Sequence, residues 1–97
     1  AGHADAVSEF YEAVDAPLYY GLRSPQRLFI EAMAADEGEP TRMADIIERC
    51  DRTQSWASKY RASLIRERVI EAAGYGLVRF TVPMLGAYIR DRVLWHE

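Results

Sequence analysis

Ninety-seven residues, 49% of them hydrophobic and eleven aromatic, suffice for one domain with its own core and argue against disorder. The single cysteine, Cys50, excludes an internal disulfide. No apolar stretch nears the roughly 20 residues that span a bilayer, and no signal-peptide pattern is present, so a cytoplasmic protein without membrane contact is expected. The net charge of −3 argues against a general nucleic-acid binder, but it is unevenly spread: residues 1–48 carry three cationic and ten anionic side chains, residues 49–68 six and two, the remainder three and three. A basic island on an acidic body is the footprint of a binding face confined to one helix, or a solvated helix surface.

The chain begins Ala1-Gly2-His3 without methionine, which reads as a cloning remnant over residues 1–3 ahead of a piece of a longer protein. Residues 4–22 then hold an N-terminal helix packing on a domain of residues 23–97. Val7, Phe10, Tyr11, Val14 and Leu18 fall at helical spacing, which sets the predicted inner face, and Pro17 either ends or kinks this helix. Ser24 followed by Pro25 reads as an N-cap and first helical residue, with Leu28, Phe29, Ala32 and Met33 on one face. The charged turn Asp36-Glu37-Gly38-Glu39-Pro40 stops it.

Thr41 is expected to cap a third helix whose inner face is Met43, Ile46, Ile47 and Cys50. Asp51-Arg52-Thr53 is too short for a free loop, so the next helix crosses steeply, as in a helix-turn-helix. Thr53 or Ser55 caps this fourth helix, which runs over about residues 53–68. Val69 and Ile70 begin a strand, Ala72-Ala73-Gly74-Tyr75-Gly76 supplies hairpin glycines, and Val78, Phe80 and Val82 alternate inward with Leu77, Arg79 and Thr81 outward. Pro83 opens a last helix with Leu85, Tyr88, Ile89 and Trp95 toward the core. The predicted fold is mainly α with a small β-hairpin: a winged helix-turn-helix of about five helices and a two-stranded wing.

In the fourth helix Ala57, Tyr60 and Leu64 fix the inner direction, at 100° per residue. The opposite pole collects Arg52, Ser55, Lys59, Ala62, Ser63 and Arg66, small or basic residues with no acid among them. Such a surface admits close approach to base edges, with Lys59 and Arg66 reaching phosphates or guanine acceptors. Recognition helices meet bases through their N-terminal residues, here Gln54, Ser55, Ser58 and Lys59. Tyr75 at the hairpin tip and Arg79 on its outer strand are what a wing would add. The DNA-binding candidates are therefore Arg52, Gln54, Ser55, Ser58, Lys59, Arg66, Tyr75 and Arg79. Arg61 lies nearer the inner boundary and reads as structural, paired with an acid such as Glu48 or reaching a phosphate. Trp56, on the flank, either packs against the third helix or offers a protein partner an exposed anchor.

Catalytic signals are missing. There is no glycine-rich phosphate loop and no nucleophile–base pair, His3 and His96 lack partners at ligand spacing, and Cys50 belongs to an apolar helix face. No enzyme activity, cofactor or metal is expected of these residues.

Ser24-Pro25-Gln26-Arg27, Met43-Ala44-Asp45-Ile46-Ile47, Lys59-Tyr60-Arg61-Ala62-Ser63-Leu64-Ile65 and Leu77-Val78-Arg79-Phe80-Thr81-Val82-Pro83 resemble the C-terminal winged-helix domain of bacterial and archaeal AAA-type ATP-binding proteins, over roughly residues 10–92. The segment from Phe10-Tyr11 to Pro17-Leu18 is similar to the helix joining the ATPase lid to that domain. The resemblance implies an accessory domain of a larger ATPase or regulator, with the ATP site outside this chain. Such a domain binds DNA, or it serves as a protein-interaction or intramolecular regulatory module with no DNA binding, in which case the ATPase domain of the same chain is the partner. Trp56, where a DNA-reading helix usually has a small residue, and the acidic body depart from the DNA-binding pattern.

Overall fold

The computed structural model describes residues 8–37 and 40–94. His3, Val7, Gly38, Glu39, Trp95 and His96, which figure in the sequence expectations, lie outside the described residues. The first helix, α1, consists of a π-helical turn Tyr11–Asp15 running into an α-helical turn Ala16–Tyr20. The Ala16 amide donates to the Tyr11 carbonyl, five residues back, just ahead of Pro17. A proline ring crowds the turn before it, and a widened turn relieves that crowding, so the helix continues through Pro17. The widening also rotates the buried face. Tyr11, Asp15 and Tyr19 are buried, whereas Phe10 and Val14, expected inside, are 43% and 40% exposed.

The second helix, α2, spans Ser24–Ala34. Its N-cap is Arg23 rather than Ser24: the Arg23 amide donates to Gln26 Oε1 at 2.9 Å, which draws the chain into the helix one residue early. Phe29, Ile30, Ala32, Met33 and Ala34 are buried and Leu28 half-buried.

Thr41 does not cap a helix. With Arg42 it forms a short strand, β1, and the helix that follows, α3 (Met43–Cys50), is capped by the extended Arg42. Thr41 is buried, pairs with Val78 across the sheet, and donates its hydroxyl to the Met33 carbonyl. Pairing with β1 covers a strand edge that would otherwise present unpaired amides and carbonyls. The sheet consequently has three antiparallel strands in the order β1-β3-β2, one more than expected.

Ile46 and Cys50 bury the inner face of α3, which ends at Asp51 in the left-handed conformation, φ 54°. Arg52 and Thr53 then lead into α4, Gln54–Arg66. Strand β2 covers Ile70–Gly74 and β3 covers Leu77–Phe80, with Glu71 opposite Arg79 and a bulge between Ala72 and Gly74. Gly74 and Gly76 flank Tyr75 with φ of 136° and 70°, values that a side chain would strain. Val78 is buried and Phe80 and Val82 half-buried, but Leu77, expected outward, is half-buried too. The last helix, α5, begins at Leu85, two residues beyond Pro83, runs to Tyr88 and continues as a π-helical turn Ile89–Leu94. Leu85, Tyr88 and Ile89 enter the core as expected.

The protein is thus mainly helical with a small antiparallel sheet. From α2 to β3 the order is helix, strand, two helices, two strands, which is compatible with a mainly α domain carrying a small β wing. Among the described residues no helix is long and apolar enough to cross a membrane.

Candidate nucleic-acid interface

Helix α4 is held at both ends. Thr53 caps it, accepting the Trp56 amide on Oγ1 at 3.1 Å, so Thr53 and not Ser55 is the cap. At the other end the buried Gln26 of α2 donates from Nε2 to Ser63 Oγ at 2.7 Å and to Glu67 Oε2 at 2.9 Å. Between these ties Ala57 and Leu64 are fully buried, and Tyr60, Arg61 and Ile65 half-buried. Ser63, expected on the exposed pole, is drawn down by Gln26 and is half-buried.

Gln54, Ser55, Ser58, Lys59, Ala62 and Arg66 all point to solvent, and no carboxylate occurs from Arg52 to Arg66. The structure therefore brings the predicted α4 candidates onto one continuous strip. Arg66 has no hydrogen-bond or ion-pair partner among the described residues, and Lys59 lies over the Tyr60 ring at 5.3 Å with its ammonium in solvent. Arg52 is placed rather than free: its Nη1 donates to the Cys50 and Asp51 carbonyls at 3.2 and 3.3 Å, and its guanidinium covers the Trp56 ring at 5.8 Å. The Arg52 guanidinium is thereby fixed beside the start of α4, where unpaired amides and the helix dipole add positive potential.

The hairpin contributes less. Tyr75 is fully exposed at the tip, but Arg79 donates from Nε to Glu71 Oε2 at 2.6 Å, so its charge is balanced across the strand pair. Arg61 pairs with no acid among the described residues, so the expected Glu48 contact is not formed.

Trp56 is half-buried. Its ring lies 6.2 Å from Phe29 of α2 and 5.2 Å from Tyr60, so it packs on α2. That placement leaves little of it as a free anchor. Cys50 is buried, its Sγ 3.6 Å from the Leu28 carbonyl, and burial pushes its thiol pKa up. Such a thiol is a poor nucleophile at neutral pH.

Two residues that matter here carry no clear signal in the sequence. Gln26 bridges α2 and α4 over a separation no local pattern reveals, though its place three residues after Arg23 hints at a capping role. Glu71 neutralises Arg79 through a register that follows from the bulge before Gly74. A cavity of about 300 Å³ lies between α2, the sheet and α5, lined by Thr41, Arg79, Phe80 and Arg90 among others and by no residue of α4. Among the described residues no group of three or more His, Cys, Asp or Glu side chains could hold a metal ion.

A family model described as "Domain of unknown function (DUF8462)" matches residues 16–89, from the α-helical turn of α1 to the start of the last π-helical turn. Neither the comparison with curated proteins nor that with solved structures gave a match.

Proposed function

We propose that this chain, which belongs to the DUF8462 family, binds duplex DNA by setting α4 in the major groove. The observation that carries the reading is the acid-free strip Gln54, Ser55, Ser58, Lys59, Ala62 and Arg66 on a helix anchored at both ends. Small side chains along it let the helix approach base edges, and the cations meet phosphates. Gln54, Ser55 and Ser58, nearest the N-terminus, carry base readout, while Lys59, Arg66 and Arg52 hold the backbone.

Binding of this kind rests on few phosphate contacts, so affinity is modest, steeply salt-dependent and only weakly sequence-selective. It suits an accessory domain that contributes DNA contacts to a larger ATPase or regulator in a reducing cytoplasm. The packing of Trp56 on Phe29 disfavours the competing reading, in which Trp56 anchors a protein partner. Fluorescence anisotropy with a labelled random-sequence duplex at low salt tests the proposal. Saturable binding that weakens in Lys59→Ala and Arg66→Ala supports it, and absence of binding by the folded protein overturns it.

A further inference from the structure

Asp15 is the one buried acid among the described residues, and it lies outside the α4 surface. Its side chain is fully buried on the inner face of the π-helical turn of α1, and neither carboxyl oxygen has a hydrogen-bond partner among the described residues. The surroundings supply no compensation. Tyr11 and Tyr88, which meet edge to face at 5.3 Å, lie within reach of its charge, but the Tyr11 hydroxyl donates to Asp91 Oδ2 at 2.8 Å instead. Arg92 of α5 lies over the Tyr11 ring at 5.0 Å and donates to Ser8 at 3.3 Å, and makes no ion pair with Asp15. Tyr19, one turn on, gives its hydroxyl to Glu31 of α2 and carries Arg27 over its ring.

An ionised carboxylate taken from water without a partner is far costlier than a neutral carboxyl group. The packed state of α1 against α5 therefore favours Asp15 with its proton, in keeping with a pKa raised by burial alone. If α1 lifts away, Asp15 meets water and ionises near its ordinary value, about 3.9. The proton thus belongs to one of two arrangements of the same helix. Both π-helical turns, Tyr11–Asp15 and Ile89–Leu94, meet at this contact, and the family match of residues 16–89 leaves the first wholly and the second mostly outside it.

We propose that Asp15 makes the α1–α5 contact a proton-dependent latch, closed while its carboxyl is neutral and released as it ionises. The sign follows from linkage. A carboxyl whose pKa is raised in the packed state stabilises packing fully below its unpacked value, and that advantage is lost as pH rises through the packed value. Within this window the packing constant falls about tenfold per pH unit. Release would uncover Tyr11, Tyr19, Tyr88 and Ile89 and free α1 to dock elsewhere.

Tyr11 of α1 and Tyr88 of α5 are the titratable groups that feel the Asp15 charge; Arg92 acts on both of them, Asp91 on Tyr11 and Tyr20 on Tyr88. The Tyr11 and Tyr19 phenols are held above their ordinary value, outside a window of pH 4 to 8. The test is amide hydrogen exchange between pH 4 and 8, corrected for intrinsic chemistry, following peptides over α1 with α2 as internal reference. It is run with His3→Ala and His96→Ala in place, so that no imidazole titrates. Protection of α1 should fall with pH relative to α2, and Asp15→Asn and Asp15→Leu should abolish the slope, with Asp15→Leu protected throughout. A flat profile in the protein with Asp15 intact, or the same slope in a folded Asp15 variant, would overturn the latch. If Asp15→Asn fails to fold, Asp15→Leu decides alone.

Discussion

The ring of Trp56 on α4 lies 6.2 Å from that of Phe29 on α2, inclined by 32°, with the Arg52 guanidinium 5.8 Å over the Trp56 ring. This stack joins the helix-turn-helix connection to the core and makes Trp56 a structural residue. Trp56→Ala should cost about 2 kcal/mol, less than a fully buried tryptophan because the side chain is half-buried. Urea midpoints would show the loss, and DNA affinity of the folded variant should change little.

Gln26 links the start of α2 to the end of α4 through Ser63 and Glu67, with its own oxygen accepting the Arg23 amide. Gln26→Leu strips all three bonds from a buried site. It should destabilise the protein by about 2 kcal/mol and weaken DNA binding, because the far end of α4 loses its tie. Thr53→Ala, at the other end, should cost about 1 kcal/mol. Thermal melts beside anisotropy titrations separate stability from binding.

Glu71 and Arg79 face each other across the hairpin. Exposed pairs of this kind stabilise little, about 0–1 kcal/mol, but they cancel charge. Arg79→Ala should therefore lower DNA affinity less than Lys59→Ala or Arg66→Ala does. Glu71→Gln should raise affinity by releasing Arg79 toward the phosphates, and competition titrations at fixed salt would rank the four variants.

Asp36 accepts both Nη groups of Arg49 at 3.0 Å, and that contact holds its carboxyl below the usual range. A depressed pKa stabilises the fold above the unfolded value, near 4, and the benefit is lost as pH falls through the folded value. Acid unfolding should accordingly shift to higher pH in Arg49→Met, while Asp36→Asn should flatten the acid limb. Circular dichroism between pH 2 and 6 checks both.

Much of the fold was legible because period and punctuation agree. Ser24-Pro25, Thr53 and the glycines around Tyr75 mark boundaries by local chemistry, and the apolar faces of α2, α3 and α4 fall where 100° steps put them. The misses come from a neighbouring strand or from an irregular helical turn. Thr41 looks like a cap, and only the free edge of β3 makes it a strand. Phe10 and Val14 look like core, and only the widened turn before Pro17 rotates them outward. On the candidate site, the α4 strip follows from helical phase, but the Glu71–Arg79 cancellation and the Gln26 tie need three-dimensional register.

The salt dependence of duplex binding tests the central claim most directly. Removing one cation that neutralises a phosphate makes the slope of log affinity against log salt shallower by about 0.9. Binding to random duplex at low salt should weaken steeply as salt rises, and the double variant Lys59→Ala/Arg66→Ala should show a slope shallower by about 2. No binding at low salt, or an unchanged slope in the folded double variant, would contradict the assignment of α4 as a DNA-binding helix.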